Sequence, residues 1–200
     1  MAKYLTSEDA TEFERAKERS RARLTAFLET LEPSLNARDD HIVGQLGRDN
    51  ASAKSKLGRI YTLMAEVGDA VAPFVACGKG CSACCKMNVS ISAIEAERLS
   101  TVSGRRMGNV ARPIRHSEDR FAGVACPFLV NDECSVYDAR PYACRAHYSF
   151  DTNAHWCQSD RAYVEGMSLL QMGGAKQAYN DVVVGSRMGG FADIRDFFRE

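Results

Sequence analysis

The chain has 200 residues, 45% hydrophobic and 26% charged, the composition of an ordinary globular protein with enough apolar side chains for a core of its own. Its 26 acidic and 26 basic residues cancel to a formal net charge of zero, which excludes the basic footprint of a nucleic-acid binder. No apolar run of about 18 residues is present, so no membrane-spanning helix is expected, and the charged opening MAKYLTSEDATEFERAKERS lacks the apolar region of a secretory signal.

Over residues 7–31, Phe13, Ser20, Leu24, Phe27, Leu28 and Leu31 keep roughly helical spacing. Ser7 is placed to cap this helix and Pro33 to close it. A second helix is expected over 51–72, where Leu57, Ile60, Tyr61, Met64, Val67 and Val71 form one stripe and Pro73 ends it. The stripe accounts for Met64 as a core filler. The two helices read as an antiparallel pair, and the connector LEPSLNARDDHIVGQLGRDN has room for a short helical turn. Asn88–Ile91 reads as a short strand, and Ser92 with Glu95 forms a capping box that opens a helix to about Leu99. Pro141 suits the first turn of a short helix carrying Cys144 and Arg145. Tyr163, Met167 and Leu170 mark a further helix, stopped by Gly173-Gly174. Residues 175–187 stay open between helix and strand because Val182, Val183 and Val184 are β-branched. Beyond Gly189-Gly190, Phe191, Ile194, Phe197 and Phe198 suggest a short terminal helix on the core. The expected fold is mainly α with minor β. It comprises a helical hairpin over 1–75, a loop-rich cysteine-ligated metal domain over 76–158 and a helical segment over 159–200, all in one compact unit.

The stretch CGKGCSACCK, residues 77–86, sets four thiols within nine residues. Packing does not explain them, since a small apolar residue fills the same volume without the reactivity. Disulfides, a redox dithiol or a metal site remain. A chain without a secretory signal is expected in the reducing cytoplasm, where cysteines read as metal-binding or catalytic. All eight cysteines, Cys77, Cys81, Cys84, Cys85, Cys126, Cys134, Cys144 and Cys157, are therefore candidate metal ligands. Short spacings let successive thiolates converge on one ion, with Gly78 and Gly80 giving the backbone freedom. Lys79, Lys86, Arg140 and Arg145 lie close enough in sequence to offset thiolate charge, although each also reads as an ordinary surface cation. In extended backbone the adjacent Cys84 and Cys85 point apart, so either they serve two centres or one ligates while the other packs behind it. Eight thiols fill two four-sulfur sites, as tetrahedral zinc or as an iron–sulfur cluster such as 4Fe-4S. Cys126-Pro127 leans toward iron, because Cys-Pro occurs in cluster-binding runs. Phe128, Tyr137, Tyr142, Tyr148 and Trp156 are placed to wall a cluster from water or to form a small core. His147 and His155 are within reach of a ligand role, and an ordinary hydrogen-bonded histidine is the simpler reading of each. His41 and His116 are expected in loops.

CGKGCSACC followed by CPFLVNDECSVYDARPYACR resembles the bacterial YkgJ-type cysteine-cluster family, a zinc- or iron-chelating domain with a CxxCxxCC signature. Cys77, Cys81, Cys84 and Cys85 match that signature. Cys126, Cys134 and Cys144 match the later Cys-Pro-Phe-Leu, Cys-Ser-Val-Tyr and Arg-Pro-x-x-Cys-Arg motifs, and Cys157 takes the place of a last cysteine. The resemblance covers roughly 77–157. The first spacing is three residues rather than two, His147 stands where an aromatic is usual, and HWCQSD lacks the customary Cys-Pro. The resemblance implies metal binding rather than a particular reaction. Some members of the family are described as iron–sulfur oxidoreductases, and a related cluster occurs in a flagellin lysine methylase. The chain has no glycine-rich nucleotide loop, no His-Glu-x-x-His and no Gly-x-Ser-x-Gly. Cys77-x3-Cys81-x2-Cys84 fits the radical-SAM spacing, without the strand–helix alternation of a barrel enzyme. The expected function is thus a protein holding an iron–sulfur cluster or Zn2+, active in electron transfer. A zinc-stabilised module with a protein partner and a metal-dependent protein-modifying enzyme are the alternatives.

Overall fold

The computed structural model describes residues 6–161 and 167–199. The first helix, α1 (Ser7–Thr30), is capped by Thr6 rather than Ser7. The Thr6 side chain accepts from the Asp9 amide, and the Asp9 carboxylate accepts from the Thr6 amide in return. Pro33 does not merely close that helix. It is the first residue of α2 (Pro33–Arg48), where a fixed φ and a missing N–H cost nothing. The expected connector is therefore a full helix, and His41 sits on it. Leu35, Ile42 and Leu46 are buried at helical spacing, but the polar residues between them mask the pattern in the sequence. Helix α3 (Ala53–Val71) follows as expected, with all six stripe residues buried. The hairpin of first and third helices is thus replaced by a packing of α2 and α3 on a later helix.

That later helix is α6 (Gly173–Ser186). The buried Asp39 of α2 accepts from the Gly174 and Ala175 amides at 3.0 and 2.7 Å, satisfying orphan donors at the helix start. A Cβ on Gly174 would stand 1.7 Å from the Asp39 carbonyl oxygen, so only glycine allows this approach. The glycine pair expected to stop a helix therefore opens one. Of the helix expected through Tyr163, Met167 and Leu170, residue 163 lies outside the described residues, and 167–172 are irregular. Val182 and Val183 are buried on α6 and Val184 is exposed, so tertiary packing overrides β-branched preference there.

The remaining regular elements surround the cysteines. Strand β1 (Ser90–Ser92) leads into α4 (Ala93–Ser103) through the expected Ser92–Glu95 capping box. A hairpin of β2 (Leu129–Val130) and β3 (Glu133–Cys134) turns at Asn131 and Asp132, whose φ values of 51° and 57° mark a two-residue turn of the kind suited to hairpin twist. Helix α5 (Tyr142–Arg145) begins just after Pro141. The expected terminal helix divides into β4 (Phe191–Asp193) and α7 (Ile194–Phe197). Strand β4 pairs antiparallel with β1, Ser90 opposite Asp193 and Ser92 opposite Phe191. The fold is mainly α with a minor β component. Among the described residues no helix is long and apolar enough to cross a membrane.

Two apolar clusters carry the packing. One joins α2, α3 and α6, with Ile94 of α4. The other joins β1, α4, β4 and α7 to Phe128, Val136 and Ala139. Glu95 is the hinge between them. Its buried carboxylate accepts from the hydroxyls of Tyr61 and Tyr179, the amide of Tyr142 and both the amide and hydroxyl of Ser92, all within 2.9 Å. Burial, and then the neighbouring Glu95 charge, push both phenols well above the ordinary tyrosine range.

Candidate metal centre

The first four cysteines sit on a tight turn. The Cys81 amide donates to the Gly78 carbonyl at 3.1 Å, and Gly80 has a φ of 90°, a conformation that strains any other residue. Of the two glycines thought to free the backbone, Gly80 is thus the one that adopts the left-handed region. Ala83–Lys86 form a 3₁₀ turn, not the extended backbone assumed for Cys84-Cys85. The two sulfurs consequently meet, with the Cys84 thiol donating to Cys85. Backbone bonds stitch this turn to distant chain. The Cys126 amide donates to Cys85 O at 2.7 Å, the Gly123 amide to Lys86 O at 2.8 Å and the Ala76 amide to Ser149 O at 2.8 Å. Strand β3 delivers Cys134 and α5 delivers Cys144.

All eight cysteines are free thiols and all are partly buried. They fall into two sets by which sulfurs act on one another. Cys85, Cys126, Cys134 and Cys144 form one. Cys77, Cys81 and Cys157 form the other. Cys84 stands between them, bonded to Cys85 and within the influence of both Cys144 and Cys77. A cavity of ≈ 250 Å³ is lined by Cys81, Cys84, Cys85, Cys126, Cys134 and Cys144. Among the described residues no three His, Cys, Asp or Glu side chains stand close enough to share one ion. Cys77 lines an adjoining cavity. Its sulfur accepts from the Ser149 amide at 3.2 Å and donates to the His147 carbonyl at 3.8 Å.

Burial raises most of these thiols. Cys126 is pushed up to about 11, and Cys144 further still, by burial first and by neighbouring sulfurs next. Cys77, Cys134 and Cys157 rise for the same leading reason. Cys85 moves the other way, down to about 7, because it accepts the Cys84 thiol proton and faces Arg140, Arg195 and Lys86. Cys85 is therefore favoured over Cys84 as the thiolate of this pair, and thiolate is the form that ligates metal.

Charge compensation comes from two arginines. Arg140 lowers Cys77, Cys85, Cys134 and Cys144. Arg195, which the sequence gave no local reason to suspect, is buried on α7 and acts on Cys85 and Cys126. It pairs with Asp193 at 2.9 Å and donates to the carbonyls of Cys85, Val124 and Ala125. Of the other expected cations, Lys86 acts on Cys85 while also pairing with Asp132 at 3.3 Å. Lys79 is exposed, and Arg145 lies over the Tyr61 ring.

His147 lines both cavities, and burial holds its imidazole below the ordinary histidine range, in the neutral form that can ligate. His155 is exposed and packs edge-on against Trp156. His116 is bonded to Asp196 at 2.8 Å. Of the five aromatics, Phe128 and Tyr137 line the thiol cavity. Tyr142 stacks on Tyr179, Tyr148 packs with Phe27 and Phe150, and Trp156 meets Phe13 of α1. Those three belong to the surrounding core rather than to the wall of the thiol cavity.

Residues 76–159 match a family model described as "CxxCxxCC: Putative zinc- or iron-chelating domain". Over this stretch the chain is similar to that domain family. No curated protein and no solved structure matches the chain. That family is described as metal-chelating, and the donor set here suits such chemistry, with soft thiols on a charge-compensated turn. Arg195 and Ile194, which complete the thiol site, lie outside the matched residues.

Proposed function

We propose that the domain holds two metal centres of iron–sulfur type, one on Cys85, Cys126, Cys134 and Cys144, the other on Cys77, Cys81, Cys84 and Cys157, and that they carry electrons. The division of the thiols into two sets, with Cys84 bonded across to Cys85, is the observation that carries this reading. It gives the adjacent cysteines one role each. Iron is favoured over zinc by Cys126-Pro127 and by the size of the thiol cavity. A single tetrahedral ion about 2.3 Å from each sulfur occupies a small part of such a space. Eight free thiols belong in a reducing compartment, the cytoplasm. The chain works as one unit, because the segment after residue 159 supplies β4 and Arg195 to the domain.

The test is purification without oxygen, followed by iron, sulfide and zinc analysis and a visible spectrum. Iron with matching sulfide, broad visible absorption and a reversible potential are expected. Cys84→Ser and Cys85→Ser should each remove one of two centres. Stoichiometric zinc in a colourless protein makes the domain a zinc-rigidified interaction module instead. Free thiols with neither metal overturn both.

A further inference from the structure

The cavity that Cys77 lines lies between α3 and the CxxCxxCC domain and has a volume of ≈ 520 Å³, within the range of small-molecule sites. Three arginines face it. Arg145 and Arg98 share one aromatic ring, their guanidinium carbons 4.6 and 5.4 Å from the Tyr61 centroid. Arg140 lies 3.6 Å from the Tyr137 centroid. Among the described residues no carboxylate stands within 4.0 Å of any of the three. Asp69 and Asp138 also line the cavity, but both are exposed. Arg140 and Arg145 are held in place by carbonyls, Arg140 by Tyr137 O at 3.0 Å and Arg145 by Arg140 O at 2.7 Å and Asp138 O. Those bonds fix the forks without neutralising them. Arg140 also faces the thiols, whereas Arg98 and Arg145 have no counter-ion, and like charges so gathered are costly unless an anion completes them.

We propose that this cavity binds a small organic oxyanion, a carboxylate or a phosphate ester, with its charged group on Arg98, Arg140 and Arg145 and its apolar part against Tyr61, Tyr137 and Tyr148. The arginine fork matches either oxyanion in bidentate fashion. Cys77 and Cys144 also line this cavity, so the bound molecule lies beside the thiols. A ligand in this position is a substrate or effector of the metal site. Its binding does not depend on which metal is present.

Calorimetric titration of the full chain, purified without oxygen, tests this with phenyl phosphate and benzoate as probes and benzyl alcohol as the uncharged control. Neither probe is a strong chelator. At least one anion should bind with a Kd below about 1 mM, and benzyl alcohol should not. Tighter phenyl phosphate assigns the phosphate class, and tighter benzoate the carboxylate class. Arg98 is exposed and rests on the Tyr61 ring, so Arg98→Gln should weaken the preferred probe at least about tenfold. A Cβ on Gly58 meets nothing within 4 Å, so Gly58→Leu should fold and fill the cavity, abolishing binding while metal content stays unchanged. Absence of heat from both anions, or affinities that neither substitution alters, overturns the proposal. Loss of metal with anion binding intact would count against the metal assignment alone.

Discussion

The packing of α2, α3 and α6 and the CxxCxxCC domain are held together by different means. The helices bury a continuous apolar stripe, and their buried carboxylate, Asp39, is bonded to the Gly174 and Ala175 amides. The domain contributes Val89, Ile91, Leu99, Val110, Phe128, Val136 and a few alanines to its cluster, and takes Ile194, Phe197 and Phe198 from beyond its own boundary. Its thiols stand around a cavity and not in a close-packed core. Apolar burial is thus sufficient in the first region. In the second, a buried arginine ties the thiol turn to α7, and a bound metal would add folding free energy.

The strongest way to break this contrast is to remove the metal. Chelation should abolish amide protection over 77–86 and 126–145 while 53–71 and 173–186 stay protected in hydrogen exchange. Equal loss in both regions would erase the distinction. Next in size, Arg195→Ala leaves Asp193 buried and strands three carbonyls, at a cost of about 3–5 kcal/mol in urea unfolding, with loss of metal. A cost under about 1 kcal/mol would show that the latch is incidental. Glu95→Gln offers one acceptor oxygen where two served five donors. It should cost about 2–3 kcal/mol and loosen the joint between the two clusters without changing metal content. At the small end, Lys79→Ala should alter stability by less than about 0.5 kcal/mol and leave metal retention as it was. A clear fall in retention would return Lys79 to the compensating cations.

Periodicity made α1, α3 and the start of α4 readable, because each repeats apolar residues at helical spacing or opens with a capping box. It failed for α2, whose buried face includes Asp39, a residue that reads as a loop former until its partners at Gly174 and Ala175 are known. It failed for Gly173-Gly174 for the same reason, since the pair answers a close approach by another helix and not a local stop. The β2–β3 turn was missed because Asn-Asp is weaker than Asn-Gly as a hairpin signal. All eight thiols were named from sequence, and six of them line one cavity. Their division into two sets depends on a 3₁₀ turn at Ala83–Lys86 that spacing did not reveal. Arg195 was illegible because Cys85, whose carbonyl it holds, lies 110 residues away in the chain.

That separation sets an order of events during synthesis. The chain is made from its N-terminus, so all eight cysteines are joined before the guanidinium that holds the Cys85 turn is added. Metal delivered before that addition enters an open pocket, and β4 with α7 then closes over it.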